Sequence, residues 1–337
     1  MARRYRRAHR WVTPGRAAIR GAAVVTARVH TRGPRATIGP ALVALAVDLL
    51  AGEPPTPMHP TVAIGRWIAR GRAARRSRAP FPSLLEGAAV VASGALCFAA
   101  LGLVADRVIG VQSRKLRLLL RGLALKPTMS VRALLSAATE VEDALDAGDL
   151  DRARARLSWH LVSRDTSDLS SSEVAAAAIE SLAENLNDAL VAPLMVFRAG
   201  GLAGAYLFRF VNTADSMLGY HTPELEWFGK AAARSDDALA FLPARVATCL
   251  IACGAALTGA SARGALRVAI TDARNTASPN AGWPMAAMAG ALGVRLAKRD
   301  HYILNDSAPF PQARDIQRAR HIVLAASLLA AIAADVA

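Results

Sequence analysis

Blocks of Ala, Leu and Val alternate along this chain with short polar stretches, and several blocks approach the length of a membrane crossing. A bilayer core requires about 20 apolar residues in a helix. Residues 84–105 meet that length with Glu86, near one edge, as the single charge. Residues 238–260 meet it too, and Arg245 lies close enough to one end to snorkel. Residues 191–210 form a third candidate, interrupted by Arg198 and by Gly200-Gly201-x-x-Gly204, a cluster that allows close helix contact. A fourth, residues 321–336, is marginal in length. Residues 38–51 and 284–297 are too short to span and are expected to be re-entrant or packed against other helices, which leaves four to six crossings. Between about 106 and 190 the chain turns polar with helical periodicity, broken at Pro127, Gly148 and Ser170. It reads as a helical extramembrane insertion. With no strand alternation and no internal repeat, the pattern predicts an all-α, polytopic membrane protein.

Composition agrees: 53% of the 337 residues are hydrophobic while aromatics are only 5%, and mean hydropathy is +0.27. The formal charge of +15 is mostly local, because residues 1–35 hold ten Arg and no acid. The other 31 basic residues face 26 acids, a net of +5. The tail lacks the apolar core of a secretory signal and is expected to be a disordered extension. The rest, residues 36–337, is expected to be the membrane domain. Cys97, Cys249 and Cys253 all lie in apolar blocks with no His or acid at ligand spacing, which predicts a place in the core and no disulfide framework.

Carboxylates and amides nevertheless recur in the apolar stretch 177–220, where polar groups are expensive near a membrane and mark a reaction site. Ser170-Ser171-Ser172-Glu173 is a capping box that starts a helix. From there, at about 100° per residue, Glu173, Glu180, Glu184 and Asp188 fall within a stripe roughly 80° wide, opposite Val174, Ala178, Leu182 and Leu186. The plain alternative is a solvated acidic face over an apolar core face. Asn212, Asp215, Ser216 and Gly219 form a second polar stripe, whose plain reading is a helix end returning to water. Asp236-Asp237 is a further pair, otherwise readable as a cap for the span that follows. Ser278-Pro279-Asn280-Ala281-Gly282 is a turn. Asp48, Gly52-Glu53-Pro54 and His59-Pro60 end a short helix in a rigid bend, where a structural role for His59 is the plain reading. Acids without His or Cys partners point to hard-cation chemistry such as Mg²⁺ with a nucleotide phosphate. Neither a phosphate-binding glycine loop nor a Ser/His/Asp arrangement is recognisable.

In order along the chain, these blocks resemble the CobD/CbiB family of cobalamin-biosynthesis membrane proteins. The resemblance rests on Asp48-x-x-x-Gly52-Glu53-Pro54 with His59-Pro60-x-x-x-Ile64-Gly65, on Arg164-Asp165 with Leu169-Ser170, and on Ala177-Ala178-Ile179-Glu180-Ser181-Leu182-Ala183-Glu184-Asn185 through Asp188. It continues with Asn212-Thr213-x-Asp215-Ser216-Met217-x-Gly219-Tyr220, Ala233-Arg234-x-Asp236-Asp237, Ala244-Arg245, Ser278-Pro279-Asn280-Ala281-Gly282 and Ala289-Gly290-Ala291-Leu292-Gly293-Val294. The match runs from about residue 38 to 302. Two departures are local: after Leu296, where the family commonly has a Gly-rich step, this chain has Ala297-Lys298-Arg299-Asp300, and its last helix is short.

The resemblance implies an adenosylcobinamide-phosphate synthase. Such a ligase joins (R)-1-amino-2-propanol O-phosphate to a propionate carboxyl of adenosylcobyric acid, using ATP and Mg²⁺, with the adenosylated corrinoid as substrate. On that reading Glu180, Glu184, Asp188 and Asp215 hold Mg²⁺ or deprotonate the attacking ammonium. Arg164, Arg234 and Arg245 bind phosphate oxygens, and Asn185, Asn212 and Asn280 bond corrinoid amides or the nucleotide. Ser216, Asp236, Asp237 and Ser278 complete the binding set, with Asp48, Glu53 and His59 as a further motif. The resemblance also implies a multi-pass protein of the cell membrane, in contact with lipid, with its site at the cytoplasmic face. Association with other cobalamin-assembly enzymes is compatible with it, and no specific nucleic-acid partner is expected. A membrane sensor of the AmpE-like type would keep the helices without the clustered acids and the Ser-Pro-Asn-Ala-Gly turn. An ion-coupled transporter would carry repeat-related broken helices, which the sequence lacks.

Overall fold

Three helices open on proline: α1 (Pro40–Ala51), α2 (Pro60–Ala73) and α3 (Pro80–Gly110). Proline suits the first turn because its missing N–H is one that no intrahelical carbonyl would accept. The computed structural model describes residues 38–55 and 59–336, so the Arg-rich extension expected over residues 1–35 lies outside the described residues. The polar middle of the chain folds as α4 (Arg114–Leu125), α5 (Val131–Asp146), α6 (Leu150–His160) and α7 (Ser171–Leu186). Beyond them come a π segment (Asn187–Val191), α8 (Ala192–Leu218), α9 (Lys230–Leu257), α10 (Ala262–Asp272), α11 (Gly282–Leu292) and α12 (Ala313–Val336). The architecture is all-α, as expected. One small exception is a hairpin of β1 (Leu296–Lys298) and β2 (Tyr302–Leu304), paired Leu296 to Leu304 and Lys298 to Tyr302. Its three-residue loop takes Asp300 to φ 58°, a left-handed conformation that Asp tolerates and that such loops use. Three-residue strands are too short to announce themselves by alternation.

Four helical stretches are long and apolar enough to cross a membrane: Pro80–Gly110, Ser171–Leu218, Lys230–Leu257 and Ala313–Val336. The expected blocks 84–105 and 321–336 fall within them, 238–260 runs three residues past Leu257, and 191–210 lies inside the second stretch but straddles a break in it. The last stretch is a full 24 residues rather than a marginal 16, because the helix starts on the charged segment before the apolar block.

The second stretch is not a straight rod. Its backbone leaves helical geometry at Gly200 and at Gly201, which sits at φ 62°, ψ −154°. A Cβ built on Gly204 would lie 2.5 Å from the carbonyl oxygen of Val196, and Asn212 donates to Asp188 across 3.2 Å. In a continuous helix those last two residues would stand about 36 Å apart. The chain therefore doubles back at Gly200-Gly201 as a helical hairpin, pairing residues equally distant from the bend. α3 packs along the returning limb, with Gly102 against Leu202 and Gly94 against Phe210, and its Gly87 meets Phe228 in the segment that follows α8. Small residues let these backbones approach closely.

α7 lies at the centre of the larger core, against α5, α11, α12 and β1. Its predicted cap forms: Ser170 Oγ accepts from Glu173 N, and Glu173 accepts from Ser170 N. Ala-rich stretches on both its sides are buried together with Glu180, while Glu184 is solvent-accessible where two cavities meet it. The cysteines depart from expectation, since Cys97, Cys249 and Cys253 are all exposed. Cys97 lies on α3 and the other two on α9, on outward faces of spanning helices, where apolar sequence meets lipid instead of core. Apolar patterning cannot distinguish those two environments.

Candidate active site

The bend brings the two polar stripes together. Asp188 and Asn212 meet across the hairpin, and α9 adds Asp236 and Asp237 from its second turn, too deep in the helix to be caps. Asn212 Nδ2 donates to Asp188 Oδ2 at 3.2 Å and to Asp236 Oδ1 at 3.3 Å, tying two carboxylates that would otherwise repel. Asn187 Nδ2 donates to Asp188 Oδ1 at 2.8 Å, while its own buried Oδ1 has no partner. These groups open onto a cavity of about 320 Å³ whose walls carry Glu184, Asp188, Asp215, Asp236 and Asp237 and no Lys or Arg. Five carboxylates, with His221 as the one basic side chain on the walls among the described residues, make an acidic recess. Behind it Arg209, also on α8, lies within electrostatic reach of both Asp188 and Glu53.

The Ser278–Gly282 turn closes one side of this cavity. Ser278 Oγ accepts from Asn280 N at 3.2 Å and Ala281 N at 3.1 Å. Asn280 Nδ2 donates to the Asp237 carbonyl at 2.8 Å, which fixes the turn to α9. Arg245 donates to Asn280 Oδ1 at 2.7 Å and to the Pro279 carbonyl at 3.0 Å, and its guanidinium covers the rings of Phe241 and Trp283. In this structure the Arg245 guanidinium braces the turn, with three of its five N–H donors engaged there and on the Phe241 carbonyl. Arg234 is largely exposed, 3.9 Å from Asp237, beside a smaller recess that reaches His221.

Glu180 stands apart from the other acids. Eight residues separate it from Asp188, about 12 Å along the axis, whereas Mg²⁺ needs its oxygens at about 2.1 Å. It opens instead into a second cavity of about 200 Å³, lined by Arg164, Glu180, Ser181, Glu184, Lys298 and Tyr302 among others. Glu184, one turn on, borders both cavities. The four acids expected to hold Mg²⁺ or to deprotonate the ammonium thus divide between two cavities: Asp188 and Asp215 line the first, Glu180 the second, and Glu184 both. Lys298 and Tyr302 were not foreseen, and the only trace in the sequence was the departure after Leu296. Asn185 and Ser216 line neither cavity. Asn185 donates back to the Ser181 carbonyl and Ser216 to that of Asn212, each one turn earlier.

Asp48, Glu53 and His59 form a separate network around a residue that sequence reasoning missed. Lys126 Nζ is 2.8 Å from Glu53 and 3.3 Å from Asp48, with only 7% of its side chain exposed. His59 Nε2 bonds Glu53 at 2.7 Å, while its Nδ1 accepts from Thr61 N and so caps α2. Asp48 also accepts from Arg132 N, joining α1 to α5.

Among the described residues no group of three or more His, Cys, Asp or Glu is placed to hold a metal ion by itself. The first cavity's donor chemistry does fit Mg²⁺, which takes one or two carboxylates and fills its remaining positions with phosphate and water oxygens. An unpartnered Asn187 oxygen and five carboxylates in need of a counter-cation supply that setting.

Comparison with known proteins agrees with this picture. The family model described as CobD/Cbib protein matches residues 41–329. The probable cobalamin biosynthesis protein CobD of Methanothermobacter thermautotrophicus is 39% identical over 268 residues, covering 79% of this chain and 86% of that protein. The cobalamin biosynthesis protein CobD of Geobacter metallireducens is 40% identical, covering 77% of this chain and 81% of the relative. That of Dehalococcoides mccartyi is 38% identical, covering 79% and 85%. No solved structure matches. With several of the family's blocks around two cavities that share Glu184, in a bundle built for a membrane, the chain belongs to the CobD/CbiB family of cobalamin-biosynthesis proteins.

Proposed function

We propose that this protein joins (R)-1-amino-2-propanol O-phosphate to a propionate carboxyl of adenosylcobyric acid at the expense of ATP, at the cytoplasmic face of the cell membrane. The observation that carries the reading is the cavity with five carboxylates on its walls, which shares Glu184 with a second cavity lined by Arg164 and Lys298. A recess of that charge repels a bare nucleotide and suits a magnesium-bound one. Bound there, Mg²⁺ would neutralise phosphate charge, held by one or two of Asp188, Asp215, Asp236 and Asp237. At about 320 Å³ the cavity is too small for an adenosylated corrin ring, so only the propionate arm of that substrate enters.

The chemistry balances as follows. A propionate oxygen attacks the γ-phosphorus of ATP, giving an acyl phosphate and ADP. The ammonium of the amino alcohol surrenders one proton, its nitrogen attacks the acyl carbon, and inorganic phosphate leaves with the C–O bonding pair. A second N–H proton departs as the amide forms, and the released phosphate takes up one of the two. Glu184, on the wall common to both cavities, accepts the first proton. Asn212 holds Asp188 and Asp236 in register, and the turn braced by Arg245 shields the cavity from water.

Membranes carrying the protein, supplied with adenosylcobyric acid, aminopropanol phosphate and ATP, should yield adenosylcobinamide phosphate together with ADP. Glu184→Gln and Asp215→Asn should each lower that rate by about a hundredfold or more, the range of a lost general base or charge stabiliser. Wild-type rates in both variants would sink the assignment of the site.

A further inference from the structure

A spanning helix gives way to a basic amphipathic one just after Gly110. α3 leaves Leu101, Val104 and Val108 exposed in its last turns, Val111 is exposed beyond it, and α4 begins at Arg114. At about 100° per residue α4 has three distinct sides. One side, with Gly122 and Leu125, is buried, and Gly122 abuts Val43 of α1. On one flank Leu116, Leu119 and Leu123 share a stripe about 60° wide, with 42–48% of each exposed. On the other flank stand Arg114, Arg117 and Arg121, and Lys115 joins Arg114 in the first turn, while the helix carries no acid. Two of these cations are engaged within the protein: Arg121 pairs with Asp106 at 2.7 Å, and Arg117 donates to the Gly110 carbonyl at 3.3 Å. Arg114 and Lys115, with Arg107 near the end of α3, are exposed and have no acidic partner among the described residues. Cations in a first turn oppose the helix dipole, and Ser113 makes no side-chain cap to offset them.

We propose that α4 lies in the membrane interface as a binding surface for anionic phospholipid, with Leu116, Leu119 and Leu123 in the acyl region and Arg107, Arg114 and Lys115 at the headgroup phosphates. A basic helix with one apolar flank takes that orientation because each flank then meets its own solvent. The spanning helix sets the depth, since α3 ends three residues before α4 begins. Charge argues against other occupants of the exposed flank. Residues 1–35 hold ten Arg and no acid, so this basic surface repels that extension. A second copy docked through the leucines would gather two sets of unpaired cations, with no acid on α4 to offset them. An anionic bilayer offers apolar depth and negative charge in one surface. The segment 106–125 therefore belongs to the membrane boundary rather than to the extramembrane insertion expected over 106–190. α4 is also tied to the hairpin bend, because the Asp106 that holds Arg121 accepts from Leu202 N at 2.7 Å. The surface stands independently of the ligase reading.

The test uses the full chain, in nanodiscs of phosphatidylcholine alone or mixed with phosphatidylglycerol. A spin label introduced through Leu119→Cys, with Cys97, Cys249 and Cys253 replaced by Ser, should be reached by oxygen and not by a water-soluble nickel chelate. One introduced through Arg114→Cys should be reached by the chelate. Native mass spectrometry of the detergent-solubilised chain should show phosphatidylglycerol bound more tightly than phosphatidylcholine. Arg107→Gln, Arg114→Gln and Lys115→Gln together should weaken phosphatidylglycerol about a hundredfold, at roughly fivefold per cation, and leave phosphatidylcholine unchanged. Arg152→Gln, at an exposed site on α6, should change neither, and unaltered thermal unfolding in phosphatidylcholine certifies that each variant is folded. Chelate access at Leu119, equal affinity for the two lipids in the wild type, or unchanged affinity in the triple variant overturns the surface. So does a label at position 119 that couples to its twin in a second copy, or that is shielded from both probes until residues 2–35 are deleted, since each assigns the flank to another occupant.

Discussion

Replacing Gly201 by Ala tests the bend on which the site depends. At φ 62°, ψ −154° its backbone lies in a region that is essentially glycine's alone, and an L residue there costs about 1–3 kcal/mol. The new Cβ would also stand 2.3 Å from Asp106 Oδ2. That carboxylate accepts from Leu202 N at 2.7 Å and from Arg121 at 2.7 and 2.9 Å, so it cannot move without loosening the start of the returning limb. Losing one charged hydrogen bond adds about 1.5–3 kcal/mol, for a total near 3–6 kcal/mol. Gly200 is the internal control. Its φ of −133° is open to any residue, and a Cβ there meets nothing within 4 Å, so Gly200→Ala should stay within about 0.5 kcal/mol of wild type. Denaturant or thermal unfolding of the purified protein in one detergent, read by circular dichroism and by protease resistance, compares the three. Equal stability of Gly201→Ala and Gly200→Ala would refute the hairpin geometry. If Gly201→Ala folds at all, it should also lose product formation, because the bend sets the contact between Asp188 and Asn212.

Lys126→Met should destabilise the fold by about 3–5 kcal/mol, because it strands Asp48, fully buried, and Glu53 without their cation. Unfolding of the purified variant measures this, and a loss below 1 kcal/mol would show that the network is dispensable. Asn212→Ala frees Asp188 and Asp236 to repel and should cost about tenfold or more in amide formation while unfolding changes less; a wild-type rate contradicts the bridging role. Burial first, then the charges of Glu180 and Glu184, push the Tyr302 phenol above its usual range. The unfolded chain ionises first, so the stability contributed by the neutral phenol is intact below about pH 10 and is lost as pH rises above it. A phenolate difference titration of wild type against Tyr302→Phe should therefore show no Tyr302 ionisation at about pH 10, and a midpoint there would contradict the buried placement.

Much was legible in the sequence because it depends on local or one-dimensional properties. Length and hydropathy located the long apolar helices α3, α9 and α12, since a bilayer imposes its thickness on any apolar run, and marked as a fourth span the block 191–210 that the fold instead bends back on itself. Residue chemistry likewise announced the Ser170–Glu173 cap and the Ser278–Gly282 turn, both of which are satisfied within a few residues. The acid stripe on α7 was visible as a stripe, but periodicity fixes an angle around the helix and not what faces it. Only tertiary structure could divide Glu180 from Asp188, because the neighbours that make two cavities come from α8, α9, the 278–282 turn and the β1–β2 hairpin. The same limit explains Lys126, whose partners lie 73 or more residues away, and Arg245, whose guanidinium braces a turn 35 residues on. The cysteines show the converse limit: an apolar sequence dictates an apolar environment, and whether that is core or lipid is decided by packing. The stretch 177–220 carried its composition in the sequence and its function in the fold. A glycine pair permits a reversal, and the packing of α3 and α9 against the returning limb holds it.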